Sequence, residues 1–225
     1  MSLSFTDYIS FLYTSLNGGF EKEIYVNSTG MPTIKEMVGL ASFSVVSGVI
    51  FAALSHLVAP TVMLVAGHVG VAMIYGIWFI GGTLPAYILR KRGSAFLGET
   101  IASIIELLLV SPYSILLYYY GPAQGLMSEI AFWMGRYKSW SWRTMILAGM
   151  LPVVAAYPFD CMVSPFYPAC SNPGYPLYLH LAIVSTMLLS GAVFAGILVK
   201  IVVYKLVSAG ALRGWPVARD KINES

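Results

Sequence analysis

A run of 53 residues without a single Asp, Glu, Lys or Arg, from Met37 to Leu89, constrains this chain more than any other feature of its sequence. A membrane-spanning helix needs only about 20 apolar residues, so this run is long enough for more than one span. The whole chain of 225 residues is 58% hydrophobic and 10% charged, far below the roughly 25% charged residues of soluble domains. The sequence therefore predicts an integral membrane protein.

The breaks in the apolar pattern predict six membrane-spanning helices. The predicted spans are residues 34–57, 74–90, 94–110, 121–137, 142–160 and 177–200, the last continuing to about 208. Residues 58–73 are apolar but too short to cross beside a span at 74–90, so we predict a loop or a half-inserted segment there. The chain then divides into an N-terminal extension at 1–33, a membrane domain at 34–208 and a tail at 209–225.

The basic residues between positions 37 and 199 lie in only two of the predicted loops. These residues are Arg90, Lys91 and Arg92 in one loop, and Arg136, Lys138 and Arg143 in or beside the other. The connections at 58–73, 111–120 and 161–176 contain no base. The positive-inside rule places the basic loops in the cytoplasm, and both termini with them. We therefore predict an all-α membrane bundle with both termini cytoplasmic.

Four acidic residues lie between positions 37 and 199, namely Glu99, Glu106, Glu129 and Asp160. An ionisable group inside a span costs about 2.5 kcal/mol or more, and such groups usually mark a functional site. Glu99 is close enough to the first basic loop that we expect it to pair with Arg or Lys there. Glu106 lies two helical turns further from that loop, among isoleucines and leucines, so it is the strongest candidate for contact with a ligand.

Several polar and aromatic side chains are expected near the membrane level of Glu106. They are Tyr75, Trp78, Gln124 and Asp160, with Glu129 deeper. A cavity with such walls suits a flat heteroaromatic molecule that carries an amino group or a positive charge. Each residue also has a structural explanation: an interfacial aromatic belt, a helix cap at Asp160, a contact between helices at Gln124 or an internal hydrogen bond at Glu129. His68 is a candidate contact from a lid.

Two further patterns leave alternatives open. Ser44, Gly48 and Ala52 recur every four residues on one face of the first predicted helix, which favours either close internal packing or docking of a partner subunit. Cys161 and Cys170 flank a proline-rich connection and would form a disulfide if that connection faces an oxidising exterior; otherwise they are two thiols.

The motifs of several enzyme classes are absent from the sequence. There is no HExxH, GxSxG or GxxxxGK[ST] pattern, so the sequence predicts neither a zinc protease, nor an esterase, nor a nucleotide hydrolase. The three histidines are not spaced as metal ligands, and a net charge of +3 is too small to suggest nucleic acid. We expect no metal, no cofactor and no enzymatic activity, with membrane lipid as the surroundings.

Six segments of the chain resemble one transporter family in order and spacing. They are YGIWF at 75–79, AYILRKRGSAFLGETIASIIELL at 86–108, QGLMSE at 124–129, LAGM at 147–150, NPGY at 172–175 and SGAVFAG at 190–196. Together they resemble the YkoE family, the substrate-binding S components of energy-coupling factor (ECF) transporters for thiamine or its hydroxymethylpyrimidine precursor. The resemblance covers residues 34–212.

The resemblance implies a six-helix S component in a prokaryotic plasma membrane. Its vitamin site would face outward under a lid formed by the first loop, and a transmembrane T subunit and two ATPase subunits would supply coupling and energy. The residues that match polar or aromatic positions of the family pattern are Trp78, Glu106, Gln124, Glu129 and Asp160.

Two other functions remain open from the residues alone. A solitary proton-coupled carrier would use Glu106, Glu129 and Asp160 as a relay, because intramembrane acids form proton paths in many transporters. A structural membrane subunit would keep the same acids hydrogen-bonded inside the bundle, with no transport role.

Overall fold

The computed structural model describes residues 32–163 and 176–219, and the regular secondary structure of these residues is helical. The longer helices are α1 (Ile34–Ala53), α2 (Ala59–Ile74), α3 (Ile80–Leu89), α4 (Ser94–Leu108), α5 (Leu117–Met134), α6 (Trp142–Met150), α7 (Pro152–Val163), α8 (Leu177–Gly191) and α9 (Val199–Ser208). Leu54–Val58 and Ala192–Leu198 are π-helical, and Tyr75–Phe79, Ser114–Leu116 and Pro216–Ala218 are short 3₁₀ segments.

Three continuous helical stretches among the described residues are long and apolar enough to cross a membrane. They are Ile34–Leu89, Trp142–Met162 and Leu177–Ser208. The first has 56 residues, more than twice the about 20 needed for one crossing. The predicted all-α membrane protein is confirmed at this level, whereas the count of six spans and the side of the membrane that holds the termini stay predictions.

The start of α1 is fixed by a capping box. The Thr33 hydroxyl accepts a hydrogen bond from the Glu36 amide at 3.2 Å, and the Glu36 carboxylate accepts one from the Thr33 amide at 2.8 Å. These bonds satisfy amide groups that have no partner within the helix. The Lys91 ammonium lies 3.8 Å from the same carboxylate, so the first basic loop is tied to the beginning of α1.

Of the two alternatives predicted for 58–73, the structure contradicts the loop, whereas the half-inserted segment stays a prediction. Most of this segment is helical, because Pro60 falls in the first turn of α2, where a missing amide hydrogen costs little. The chain breaks instead at Gly67, whose φ of 60° and ψ of −156° interrupt the helix. An L-residue with a side chain rarely adopts this conformation. The single helical stretch from Ile34 to Leu89 is therefore folded at Gly67.

The fourth predicted span also differs in its start. We placed the beginning at the Gly121–Pro122 pair, but α5 begins at Leu117 and runs through the proline. Pro122 lies near the start of α5, so it removes only one early hydrogen bond of the helix. Tyr120 becomes part of α5 as a result.

Helix α4 lies at the centre of the packing, against α1, α3 and α5. The small-residue face of α1 is the surface that packs against it. Ser44 and Ala52 are buried, and a Cβ atom added at Gly48 would lie 2.5 Å from the Ala102 carbonyl oxygen of α4. Between the two interpretations left open by the sequence, the structure supports internal packing. We therefore withdraw Ser44, Gly48 and Ala52 as candidates for binding a partner.

Candidate functional site

Glu106 of α4 is buried, with only 1% of its surface exposed, and neutral hydroxyl groups hold it. The Ser55 hydroxyl donates to Glu106 Oε1 over 2.5 Å, and the Ser111 hydroxyl donates to the same oxygen over 2.9 Å. Among the residues that the structure describes, no Lys or Arg forms an ion pair with this carboxylate. Glu106 thus has hydrogen-bond donors but no Lys or Arg partner within the described part of the chain, and the imidazole of His56 is the basic group close enough to attract it.

The π-helical turn at Leu54–Val58 explains how Ser55 reaches Glu106. A π turn inserts an extra residue into a helix and rotates the side chains that follow, and such turns occur often at functional sites. Here the turn follows directly on α1 and buries Ser55, while the ring of His56 lies 3.2 Å from the Leu109 carbonyl oxygen at the end of α4.

Trp78 and Tyr75 extend the site from Glu106 along the 3₁₀ segment Tyr75–Phe79. Trp78 lies beside the Glu106 carboxylate, and its buried Nε1–H group has no acceptor with hydrogen-bond geometry. The rings of Tyr75 and Trp78 are 5.7 Å apart between centroids. Both side chains are buried, as an interfacial aromatic belt would not be.

Ser190 of α8 supports this 3₁₀ segment. Its hydroxyl accepts a hydrogen bond from the Gly76 amide at 2.9 Å and donates one to the Met73 carbonyl at 2.8 Å. The Met73 carbonyl and the Gly76 amide lie where α2 ends and the 3₁₀ segment begins, so regular α-helical hydrogen bonds are interrupted there. The Ser190 hydroxyl supplies a hydrogen-bond partner to each group. The position of Tyr75 and Trp78 therefore depends on α8.

Two tyrosines that the sequence analysis did not single out continue the aromatic wall. The Tyr113 ring packs edge-on against Trp78 at 6.2 Å and against Tyr120 at 6.4 Å. Tyr120 then donates a hydrogen bond from its hydroxyl to Oδ1 of Asp160. Tyr113 and Tyr120 thus connect the two carboxyl groups of the site.

Asp160 of α7 is 2% exposed and lies at the far end of this wall. Tyr75 lies beside the same carboxyl group as Tyr120 does. The second oxygen, Oδ2, is buried and has no hydrogen-bond partner in the described part of the protein. A free, buried carboxylate oxygen carries a desolvation cost that a bound donor would relieve. We call the six residues Glu106, Trp78, Tyr75, Tyr113, Tyr120 and Asp160 the acidic–aromatic cluster.

Five of the six residues of the acidic–aromatic cluster are buried, and a small cavity lies beside the sixth, Tyr113. The cavity beside Tyr113 has a volume of about 10 Å³ and is lined by Ser55, Ala59, Pro60, Met63, Val71 and Tyr113. Such a volume holds about one water molecule, whereas ligand pockets usually measure about 300–1,000 Å³. A vitamin-sized molecule would need the aromatic wall and the start of α2 to move apart.

Glu129 does not belong to the acidic–aromatic cluster. Its carboxylate accepts hydrogen bonds from the backbone amides of Gly93, Ala95 and Phe96, at 2.6, 2.8 and 3.2 Å, and from the Tyr137 hydroxyl at 2.6 Å. These amides are at the N-terminus of α4, where a negative charge is favoured by the helix dipole. We therefore remove Glu129 from the candidate contacts of a ligand.

Glu99 differs from its prediction as well. We expected an ion pair with the first basic loop, but the described residues provide none, and Oε2 of Glu99 is buried without a hydrogen-bond partner. Cβ atoms added at Gly81 and Gly82 would lie 3.0 and 3.3 Å from this oxygen, so the two glycines of α3 give the carboxyl group its space. The acid packs inside the bundle because Lys91 of that loop turns to Glu36 instead.

The remaining predicted residues lie around the cluster or outside the described residues. Gln124 is buried on α5, one turn after Tyr120 and on the same side of the helix. His68 is half-buried on α2, one residue after the break at Gly67. Cys161 is buried near the end of α7, and Cys170 lies outside the described residues, so the predicted disulfide stays a prediction.

The residues that the sequence analysis missed have weak signals in the sequence. Ser55 and Ser111 are ordinary small polar residues, and only the π turn and the end of α4 bring them to Glu106. Tyr113 and Tyr120 belong to the tyrosine-rich stretch PYSILLYYYGP at 112–122, which resembles an interfacial belt. The contact between Tyr120 and Asp160 would distinguish these tyrosines from such a belt. It joins distant parts of the chain, so the sequence alone does not show it.

Three comparisons relate the chain to known transporters. The model of the family described as "ABC-type cobalt transport system, permease component" matches residues 35–155. YkoE of Bacillus subtilis (strain 168), named as an HMP/thiamine permease protein, is 35% identical over 187 residues, or 83% of this chain and 90% of the relative. A crystal structure of an S-component of an ECF transporter matches with a TM-score of 0.78 at 31% identity, over 86% of this chain and 95% of that chain.

Proposed function

We propose a function for this chain, which belongs to the YkoE family of S components of energy-coupling factor transporters: it captures thiamine or hydroxymethylpyrimidine at the acidic–aromatic cluster. Membership makes the protein a multi-pass membrane component of a prokaryotic transporter. We take the proposed substrates from the relative YkoE of Bacillus subtilis, which is named as an HMP/thiamine permease protein.

The observation that carries this proposal is a pair of buried carboxyl groups in an aromatic site. Asp160 offers a carboxylate oxygen that has no donor among the described residues, and the Trp78 indole N–H lies beside Glu106 without a hydrogen bond of regular geometry. Glu106 adds a second carboxylate that has no ion-pair partner among the described residues. A ligand that carries both donors and acceptors on a flat ring would satisfy these groups and stack on the tyrosines.

An aminopyrimidine has this chemistry. Its exocyclic amino group donates hydrogen bonds and its ring nitrogens accept them, so one edge of the ring can meet a carboxylate and an indole N–H together. Thiamine adds a positively charged ring, which aromatic faces and carboxylates both attract. We propose that Glu106 meets the amino or cationic part, that Trp78 and the tyrosines stack on the rings, and that Asp160 receives a further donor.

Entry of the ligand requires the closed cluster to open. The segment from Leu54 to Gly67 covers the cluster through Ser55, Ala59 and Met63, and it ends at the break in α2. We propose that this segment is the lid and that His68, which follows the break, moves with it. In the predicted topology this end of the bundle faces the outside of the cell, where the vitamin is captured.

Energy for transport is proposed to come from partner subunits. The chain has no nucleotide-binding motif, and S components work with a T subunit and two ATPase subunits. With the small-residue face of α1 packed on α4, the exposed side of that helix, which includes Val45, Val46 and Val49, is the side open to the T subunit.

The relay of a proton-coupled carrier is not supported by the placement of its three acids. Glu129 accepts hydrogen bonds from three backbone amides at the N-terminus of α4 and from Tyr137, outside the cluster that holds Glu106 and Asp160, so the three acids do not form one chain. We therefore carry only the S-component function forward.

The proposal is tested by measuring thiamine and hydroxymethylpyrimidine binding to the purified full chain, with wild type compared against Glu106→Gln. Calorimetry gives the affinity, and quenching of tryptophan fluorescence gives an independent signal because Trp78 lies in the site. Hydrogen bonds to a charged group contribute about 1.5–3 kcal/mol, so we expect the substitution to weaken binding by roughly 10- to 100-fold.

Glu36→Gln is the matched control, since it removes an acid at the start of α1, outside the acidic–aromatic cluster. Its affinity should equal that of wild type. If the wild-type protein binds neither compound, the assigned substrates are wrong. If Glu106→Gln binds as tightly as wild type, the assigned site is wrong.

A further inference from the structure

A groove lies at the opposite end of α1 from the acidic–aromatic cluster, between this helix and the C-terminal segment of the described residues. Its volume is about 490 Å³, and its lining residues are Lys35, Val38, Gly39, Ser42, Phe43, Ala211, Leu212 and Trp215. We call it the Lys35–Trp215 groove. A volume of this size is in the range of sites for organic molecules.

The groove exists because Trp215 packs directly on the α1 backbone. A Cβ atom added at Gly39 would lie 2.1 Å from the Trp215 ring, so only glycine leaves room for the indole. The Phe43 ring meets the same indole edge-on at 5.6 Å. Val38 and Leu212 add further apolar surface. The wall therefore suits an aliphatic chain.

One positive charge stands at the edge of this apolar wall. The Lys35 ammonium lies 5.0 Å from the centre of the Trp215 ring and donates a hydrogen bond to the Gly214 carbonyl at 3.2 Å. An ammonium group has three donors, so this geometry leaves donors for an anion. The neighbouring acid, Glu36, faces Thr33 and Lys91. Arg213 is an exposed second cation in the C-terminal segment.

The residues around the groove are those expected at a membrane interface. The ion pair between Lys91 and Glu36 places the first basic loop beside the start of α1, and a tryptophan with nearby bases is typical of the level of lipid headgroups. An apolar wall with a cation at its edge matches a phospholipid, in which acyl chains are attached to a phosphate group. Basic pockets between helices bind anionic lipid headgroups in other membrane proteins.

We infer that the Lys35–Trp215 groove binds one anionic phospholipid, with an acyl chain along Val38, Phe43 and Leu212 and the phosphate at Lys35. The bound lipid fills the space between α1 and the C-terminal segment. This inference does not depend on the vitamin site.

The test is native mass spectrometry of the full chain released from detergent micelles that contain equal amounts of phosphatidylglycerol and phosphatidylcholine. Wild type should retain phosphatidylglycerol preferentially, with one lipid per chain. A base near an anionic headgroup contributes about fivefold to binding, so Lys35→Ala should lower retention by about that factor. Ser42→Phe, which places a ring in the groove without touching the charge, should lower retention of both lipids.

Lys205→Ala is the matched control because it removes an exposed lysine of α9 that does not line the groove. Its retention should equal that of wild type. Equal retention of the two lipids, or equal effects of Lys35→Ala and Lys205→Ala, would overturn the inference. A chain that lacks residues 1–31 should retain the lipid as wild type does; a several-fold gain on truncation would show that those residues occupy the groove, which would also overturn it.

Discussion

At the scale of single residues, the partners of a carboxylate decide its role more than its position in the sequence does. Glu106 and Glu129 are both buried acids of the bundle, yet Glu129 receives three backbone amides and a phenol, while Glu106 receives two serine hydroxyls. The first set is the complete cap of a helix. The second set leaves Glu106 beside the Trp78 indole, whose N–H makes no hydrogen bond of regular geometry within the described residues.

Glu129→Gln should therefore reduce stability and leave the ligand affinity of the folded protein within about threefold of wild type. A glutamine keeps one acceptor oxygen but directs an amide group at the backbone donors, so about 1–3 kcal/mol of stability should be lost. The measurement is the thermal unfolding midpoint in detergent, followed by thiamine binding below that temperature. A large loss of affinity at unchanged stability would return Glu129 to the binding site.

Asp160→Asn should show the opposite pattern. Tyr120 can still donate to the remaining oxygen, but the free Oδ2 becomes an amide donor, which repels a donor on the ligand. We expect thiamine affinity to fall by about tenfold, on the order of one charge-assisted hydrogen bond, with a small change in the unfolding midpoint. Tyr120→Phe serves as the comparison, since it removes the internal hydrogen bond and keeps the carboxylate. Unaltered affinity in Asp160→Asn would exclude Asp160 from ligand contact.

The acids, Trp78 and Tyr75 could be identified from the sequence because polar and aromatic groups stand out in an apolar chain. What each acid contacts could not be predicted in the same way. Glu129 is satisfied by backbone amides, which every residue has, and Ser55 reaches Glu106 across 51 positions of sequence. Such contacts depend on helix rotation and packing, which residue types alone do not determine.

At the scale of helices, the difference between Pro60 and Gly67 shows how a break is placed. A proline in the first turn of a helix is tolerated, whereas the backbone angles at Gly67 end the regular hydrogen bonding. The π turns at 54–58 and 192–198 leave no mark in an apolar pattern, since every position there except His56 is small or hydrophobic. The apolar pattern therefore predicted the helices other than α2, most of which lies in the segment expected to be a loop or half-inserted. It did not predict the irregular segments, although these carry Ser55, Tyr75 and Trp78.

A substitution on each side of α1 separates internal packing from partner docking. Gly48→Leu would force a side chain against the Ala102 carbonyl, and overpacking costs about 1–3 kcal/mol, or roughly 2–4 °C in unfolding midpoint per kcal/mol. Val46→Leu, on the exposed side, should leave the midpoint within about 1 °C of wild type. If Gly48→Leu were as stable as wild type and lost only its T subunit on purification, the docking interpretation of Ser44, Gly48 and Ala52 would be restored.

At the scale of the whole molecule, the fold matches a solved S component with a TM-score of 0.78, and most residues of the cluster at one end of the bundle are buried. If the ligand binds at this cluster, as we propose, opening precedes or accompanies binding. Stopped-flow fluorescence should show an observed rate that rises with thiamine concentration and then reaches a plateau, because the opening step becomes limiting. A rate that stays linear to high concentration would mean that the ligand enters without such a step.

The cavity of about 10 Å³ has a consequence for the cell as well as for the molecule. If the chain captures a vitamin at this cluster, as we propose, a receptor that must open first takes up the vitamin no faster than its copies in the membrane can open, however much vitamin arrives. Supply then depends on how many copies the cell makes, so expression of the protein, rather than the external dose, sets the ceiling on intake.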